Sequence, residues 1–161
     1  MKRNILFLVL FILTSSCIRK RIRDDEVNNA KREVVKTQSV EAYFDLGEYY
    51  DNEDLYLDEL PYDLIMSKKS NNVTSCYYFY HNYIRICNSG KFDKNVINKL
   101  DKPEQDFLIY MLNKGALKGD MSCQSYLYYY YKNGIVVKKN SLKADSLSKF
   151  FPEGYFDKVN L

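Results

Sequence analysis

The chain has 161 residues, a formal net charge of +3, and 46% hydrophobic residues, including 16 tyrosines, nine phenylalanines and no tryptophan. This is enough for one core of aromatic character, and too little for several independent domains. The single histidine, His81, excludes a multi-histidine metal centre, and the positive charge is concentrated at the N-terminus, so it gives no argument for nucleic acid.

Lys2 and Arg3 precede an apolar run, Ile5 to Leu13, followed by the small residues Thr14, Ser15 and Ser16 and then Cys17. A helix needs roughly 20 apolar residues to cross a hydrocarbon core, so this run is an export signal rather than a span. Leu13-Thr14-Ser15-Ser16-Cys17 resembles the lipobox of bacterial lipoproteins. That resemblance implies cleavage of residues 1–16 as a signal peptide and lipidation (palmitate) of Cys17, placing the protein in the bacterial cell envelope, facing the periplasm or the cell surface.

Cleavage there leaves 22 basic against 21 acidic residues, and Arg19, Lys20, Arg21 and Arg23 sit directly beside the lipid. Residues 17–38 are expected to be a basic, membrane-proximal tether, partly helical, whose charges either add electrostatic attraction to anionic headgroups or simply form the solvated start of a linker. Residues 39–161 are expected to form the folded domain.

From Ser39, Ala42, Tyr43, Leu46, Tyr49 and Tyr50 recur at three- and four-residue spacings and predict a helix. Nine carboxylates from Glu41 to Asp63, with no Lys or Arg between Lys36 and Lys68, read as a solvated acidic face. They lack the alternating pattern of a calcium loop. Pro61 fits the first turn of a second helix. Asn71, Asn72 and Thr74 offer capping oxygens to a third helix, from Cys76 to about Ile86. A long loop follows, with a short turn at Val96 to Leu100. Asp101, Pro103 and Glu104 form a capping-box pattern that opens a fourth helix reaching Lys118. The fifth covers Ser122 to Lys132 and stops at Asn133-Gly134; the sixth runs from Asn140 to Phe151.

The first, third and fifth helices read as copies of one another. Ala42, Cys76 and Cys123 share one position, and Leu46, Tyr80 and Leu127 the position four residues on. The intervals of 34 and 47 residues lie in the range of helix-pair solenoids. Gly119, Gln124, Leu127, Tyr131, Asn133, Gly134, Val137, Lys143 and Ala144 together resemble the SEL-one-like repeat family, a relative of the tetratricopeptide repeats. Cys123, Tyr128, Val136 and Asn140 stand where that family has Ala, Gly, Gly and Asp. The expected fold is all-α, an α/α solenoid of about three helical hairpins.

No catalytic, cofactor-binding or metal-binding residue is expected. Cys76 and His81, five residues apart, share a helix face poorly and make a weak nucleophile pair. Of the cysteines after Cys17, Cys76 and Cys87 are about 16 Å apart along one helix, so any disulfide must involve Cys123. Four consecutive tyrosines, Tyr128 to Tyr131, sweep roughly 300° around a helix and cannot all face one core. Core and flank packing in a tryptophan-free domain is one reading of this run and an interface role the other; Tyr78, Tyr83, Tyr126, Tyr128, Tyr129 and Tyr130 are the candidate partner-binding rings, because tyrosine joins large contact area to a polar tip. The expected function is non-catalytic binding of a protein partner. The resemblance to small repeat lipoproteins suggests an immunity protein that neutralises an antibacterial toxin. Scaffolding of an envelope or secretion complex is the alternative, and a cell-wall or lipid hydrolase is the enzymatic one.

Overall fold

The computed structural model describes residues 24–69 and 72–158, so the signal segment and Cys17 lie outside the described residues. Among the described residues eight α-helices follow in order: α1 (Asp24–Thr37), α2 (Val40–Asn52), α3 (Tyr56–Lys69), α4 (Ser75–Cys87), α5 (Lys102–Leu117), α6 (Met121–Asn133), α7 (Ser141–Ser148) and α8 (Tyr155–Lys158). A 3-10 helix, Lys94–Lys99, lies between α4 and α5. No strand occurs among the described residues, and helices adjacent in sequence pack against each other, giving the all-α hairpin array that the sequence pattern implied.

Local chemistry explains the boundaries. Ser39 Oγ accepts from the Ala42 amide at the start of α2, Asp120 Oδ1 from the Cys123 amide at α6, and Asn140 Oδ1 from the Lys143 amide at α7. Each satisfies a donor that a helix start leaves open. At α5 the capping box is complete: the Glu104 amide donates to Asp101 Oδ1 at 2.9 Å and the Asp101 amide to Glu104 Oε2 at 3.0 Å. Gly134, at φ 72°, supplies the left-handed residue that closes α6.

Three local expectations change. Within the partly helical tether expected at 17–38, Asp24–Thr37 form α1, which is docked rather than free: its Val27 and Val34 are buried against α2 and α3 with Ala42, Leu46, Tyr50 and Met66. The second helix starts at Tyr56, so Pro61 lies past its first turn. Thr74 gives no side-chain cap to α4; Asn72 Oδ1 instead accepts from the Thr74 amide and hydroxyl, shaping the approach to the helix.

The repeat register coincides with the buried face. Ala42, Cys76 and Cys123 are at most 4% exposed, and Leu46, Tyr80 and Leu127 at most 1%. Gly115 of α5 sits where that helix approaches α4 and α6 closely: a Cβ there would fall 2.4 Å from Cys123 Sγ and 3.0 Å from Cys76 Cβ. All three described cysteines are free thiols, Cys76 and Cys123 buried and Cys87 exposed.

The tyrosine run is divided among four neighbours. Tyr128 stacks on Phe156 of α8 at 3.8 Å, Tyr129 donates to Asn95 Oδ1, Tyr130 enters the core, and Tyr131 lies under Lys143 of α7. The ring at position 128 is therefore covered by the C-terminal turn.

Candidate functional groove between the first two hairpins

Helical periodicity sets one ridge of α2 against one ridge of α4. Phe44, Gly47, Glu48 and Asp51 lie beside the buried stripe of α2, while Tyr77, His81 and Arg85 recur every four residues along α4. Between them is a cavity of about 320 Å³, also walled by Tyr43 and Tyr78, with Glu59 of α3 reaching it from below. Tyr78 meets Tyr43 edge-on at 6.3 Å, and His81 stacks on Phe92 at 4.5 Å. Phe44 remains 47% exposed at the lip.

Beneath the groove is a buried acid cluster. Tyr43 donates its hydroxyl to Asp63 Oδ1 at 2.7 Å, and Asn82 Nδ2 donates to Asp63 Oδ2 at 3.2 Å. Burial pushes the Asp63 carboxyl well above the usual range, and the neighbouring Glu59 pushes it further, against the opposing hydrogen bonds from Tyr43 and Asn82. Burial likewise pushes Glu59 up to about 7, with the Asn82 amide and Arg85 opposing and Asp51 reinforcing. The Tyr43 hydroxyl is raised by burial and then by Asp63. His81 is lowered by burial and by Arg85, so its ring is largely neutral at neutral pH.

Arg85 is the positive group of the groove, and it is already engaged. Its Nη1 lies 2.5 Å from Asp51 Oδ1, its guanidinium sits 3.9 Å over the Tyr56 ring, and its Nε donates to the Gly90 carbonyl.

These positions correct the reading of the carboxylates. Seven of the nine between Glu41 and Asp63 are exposed, but Glu59 is 3% and Asp63 0% exposed. Their signal was available: Tyr56, Glu59, Asp63 and Met66 fall at three- and four-residue spacings on one face of α3, the face that packs inward.

The candidate tyrosines separate. Tyr78 lines the groove. Tyr83 stacks on Phe79 and donates to Glu104, tying α4 to α5. Tyr126 stacks on Tyr77, while Tyr128 and Tyr129 are half-buried on Phe156 and on the 3-10 helix. Tyr130 is fully buried: its hydroxyl bonds the Tyr80 hydroxyl and donates to the Lys94 carbonyl, so it is a core residue and offers no surface to a partner.

The arrangement does not join Cys76 and His81 as a nucleophile pair. The Cys76 thiol is buried and raised by that burial, which holds it in the unreactive thiol form, and His81 packs instead on Tyr77 and Phe92. No cluster of three His, Cys, Asp or Glu side chains suited to a metal converges among the described residues, and none of their helices is long and apolar enough to cross a membrane. Together these features define a small array of helical hairpins with an acidic, aromatic groove at one end. Comparisons with protein-family models, with curated proteins and with solved structures find no match.

Proposed function

We propose that this protein is a non-catalytic envelope lipoprotein, held to the membrane through a lipid on Cys17, that binds a protein partner in the groove between α2 and α4. The observation that carries this reading is the groove itself: a preformed cleft of about 320 Å³ whose rings and carboxylates are held by helices rather than loops. Aromatic rings give contact area at low entropic cost, and the flanking charges give orientation. Within this class, an immunity protein that neutralises an incoming antibacterial toxin is the specific role favoured by the resemblance to small repeat lipoproteins.

The test is affinity capture of the lipidated protein from its own cells and from a toxin-delivering competitor, in parallel with the Phe44→Ala variant. One partner, held by the wild type and released by the variant, is the expected result. Equal recovery by both proteins would refute the groove. Metabolic labelling with a fatty acid, lost in Cys17→Ser, checks the anchor.

A further inference from the structure

The groove is unevenly charged. No Lys or Arg occurs between Lys36 and Lys68, so the exposed carboxylates of α2 and the turn after it give its mouth a negative field. Inside, Arg85 is spent on Asp51. Glu48 at the rim and Glu59 at the floor have no ion-pair partner among the described residues. Glu59 is 97% inaccessible, yet it borders the cavity, and the residue above it is Gly47. A Cβ at position 47 would stand 3.2 Å from Glu59 Oε1, so the missing side chain is what leaves that oxygen open toward the groove. Around this oxygen are the rings of Tyr43, Phe44, Tyr77 and Tyr78.

Resting on the reading above, we propose that the groove receives a lysine or arginine side chain of the partner, with Glu59 as its buried counter-charge and the surrounding rings as its walls. Three chemical arguments converge. A cation over an aromatic face is attracted by the ring quadrupole, and the attraction grows as water is excluded. An anionic group would be repelled by Glu48 and Glu59, while Asp51 and Arg85 offset one another as an ion pair. A purely apolar segment would use the rings but leave the carboxyl under Gly47 without a complement. The aliphatic stem of Lys or Arg covers the rings while its head reaches the acid.

Binding is thereby linked to protons. Glu59 is raised to about 7, so a cation that selects the carboxylate displaces a proton from the partly protonated group. The groups facing it are Tyr43, Glu48 and Asp51 from α2, Asp63 from its own helix, and Tyr78, His81, Asn82 and Arg85 from α4. His81 is lowered by burial, and any charge it loses as pH rises is positive, so it does not reverse the trend.

The experiment uses the full-length protein in detergent and three blocked peptides, acetyl-Gly-Lys-Lys-Lys-Gly-amide and its norleucine and glutamate counterparts, followed by the amide resonances of Gly47 and His81. The lysine peptide is expected to shift both saturably and to bind at least about tenfold more tightly than either counterpart. Its affinity should rise from about pH 6 to about pH 8 as Glu59 ionises. Glu59→Gln should remove the preference and the pH dependence, with thermal unfolding confirming the fold. Glu48→Lys, at an exposed rim position, should weaken lysine binding without touching the core. Equal binding of lysine and norleucine peptides would overturn the cation site while leaving a groove that binds protein. A lysine preference that survives in both variants would also overturn it. Absence of any shift, together with Phe44-independent partner capture, would remove the groove reading as well.

Discussion

Tyr43 and Asp63 share a buried hydrogen bond of 2.7 Å, linking α2 to α3 directly beneath the groove. With Asn82 on the other carboxyl oxygen, this bond fastens three helices to one acidic side chain. The polar cluster therefore holds the first hairpin against α4 as well as supporting the groove wall.

The cluster sets the pH dependence of stability. Glu59 is raised to about 7 and Asp63 is raised well above its ordinary range, both by burial, so the folded state holds more protons than the unfolded chain between about pH 4.5 and 7. Stability from this source is complete below the unfolded carboxyl pKa and declines as pH rises through the folded one. The denaturant midpoint is expected to fall from pH 5 to pH 8, with Glu59 alone contributing on the order of 3 kcal/mol. Glu59→Gln should flatten the profile. A midpoint that climbs over that range in the wild type would contradict the assignment.

Gly115→Ala is expected to destabilise sharply. Its methyl would stand 2.4 Å from Cys123 Sγ and 3.0 Å from Cys76 Cβ, both in the packed core. The better helix propensity of alanine offsets about 1 kcal/mol of that strain, leaving a net loss of about 2 kcal/mol. Gly115→Ala combined with Cys123→Ala should recover part of the loss, because the nearest clashing atom is then gone. Equilibrium unfolding of the wild type and of both variants measures this.

Tyr130→Phe keeps the ring but removes a hydroxyl bonded to Tyr80 and to the Lys94 carbonyl at 2.9 Å. The expected cost is about 1 to 2 kcal/mol, with partner binding unchanged because the site is core. Tyr80→Phe with Tyr130→Phe should cost less than the sum of the single changes, since both remove the same hydroxyl pair and Tyr130→Phe alone strands the buried Tyr80 hydroxyl, whereas Tyr80→Phe leaves Tyr130 on the Lys94 carbonyl.

Thiol chemistry should report the same packing. Cys87 is exposed and should react with iodoacetamide in the native protein, slowed by local burial and by Glu104, both of which raise its thiol. Cys76 and Cys123 are buried and should react only as the protein unfolds. Mass spectrometry of a timed alkylation gives the order; early labelling of Cys123 would contradict the core.

Much of the architecture was legible because it follows from periodicity and caps. The Asp101 and Glu104 pair, the Asn133-Gly134 stop and the shared register of Ala42, Cys76 and Cys123 each correspond to a local physical requirement that the structure satisfies. The docking of α1 was hidden because only Val27 and Val34 are buried, with the small Ala30 between them, in an otherwise charged segment, too sparse a stripe to distinguish docking from a tether. The groove was hidden for a different reason. Glu59 and Asp63 occupy inward positions of α3, and carboxylates at such positions look like surface until tertiary contacts bury them. The tyrosine run drew notice toward α6, yet its rings are divided among α7, α8, the 3-10 helix and the core.

The central claim is that the α2–α4 groove is the surface this protein presents to a protein partner. Photo-crosslinking in intact cells tests it most directly, with benzoylphenylalanine placed at Phe44 on the groove lip or at Leu142, which is 83% exposed on α7. The account predicts one discrete crosslinked partner from position 44 and none from position 142. A partner crosslinked from position 142 alone would contradict it.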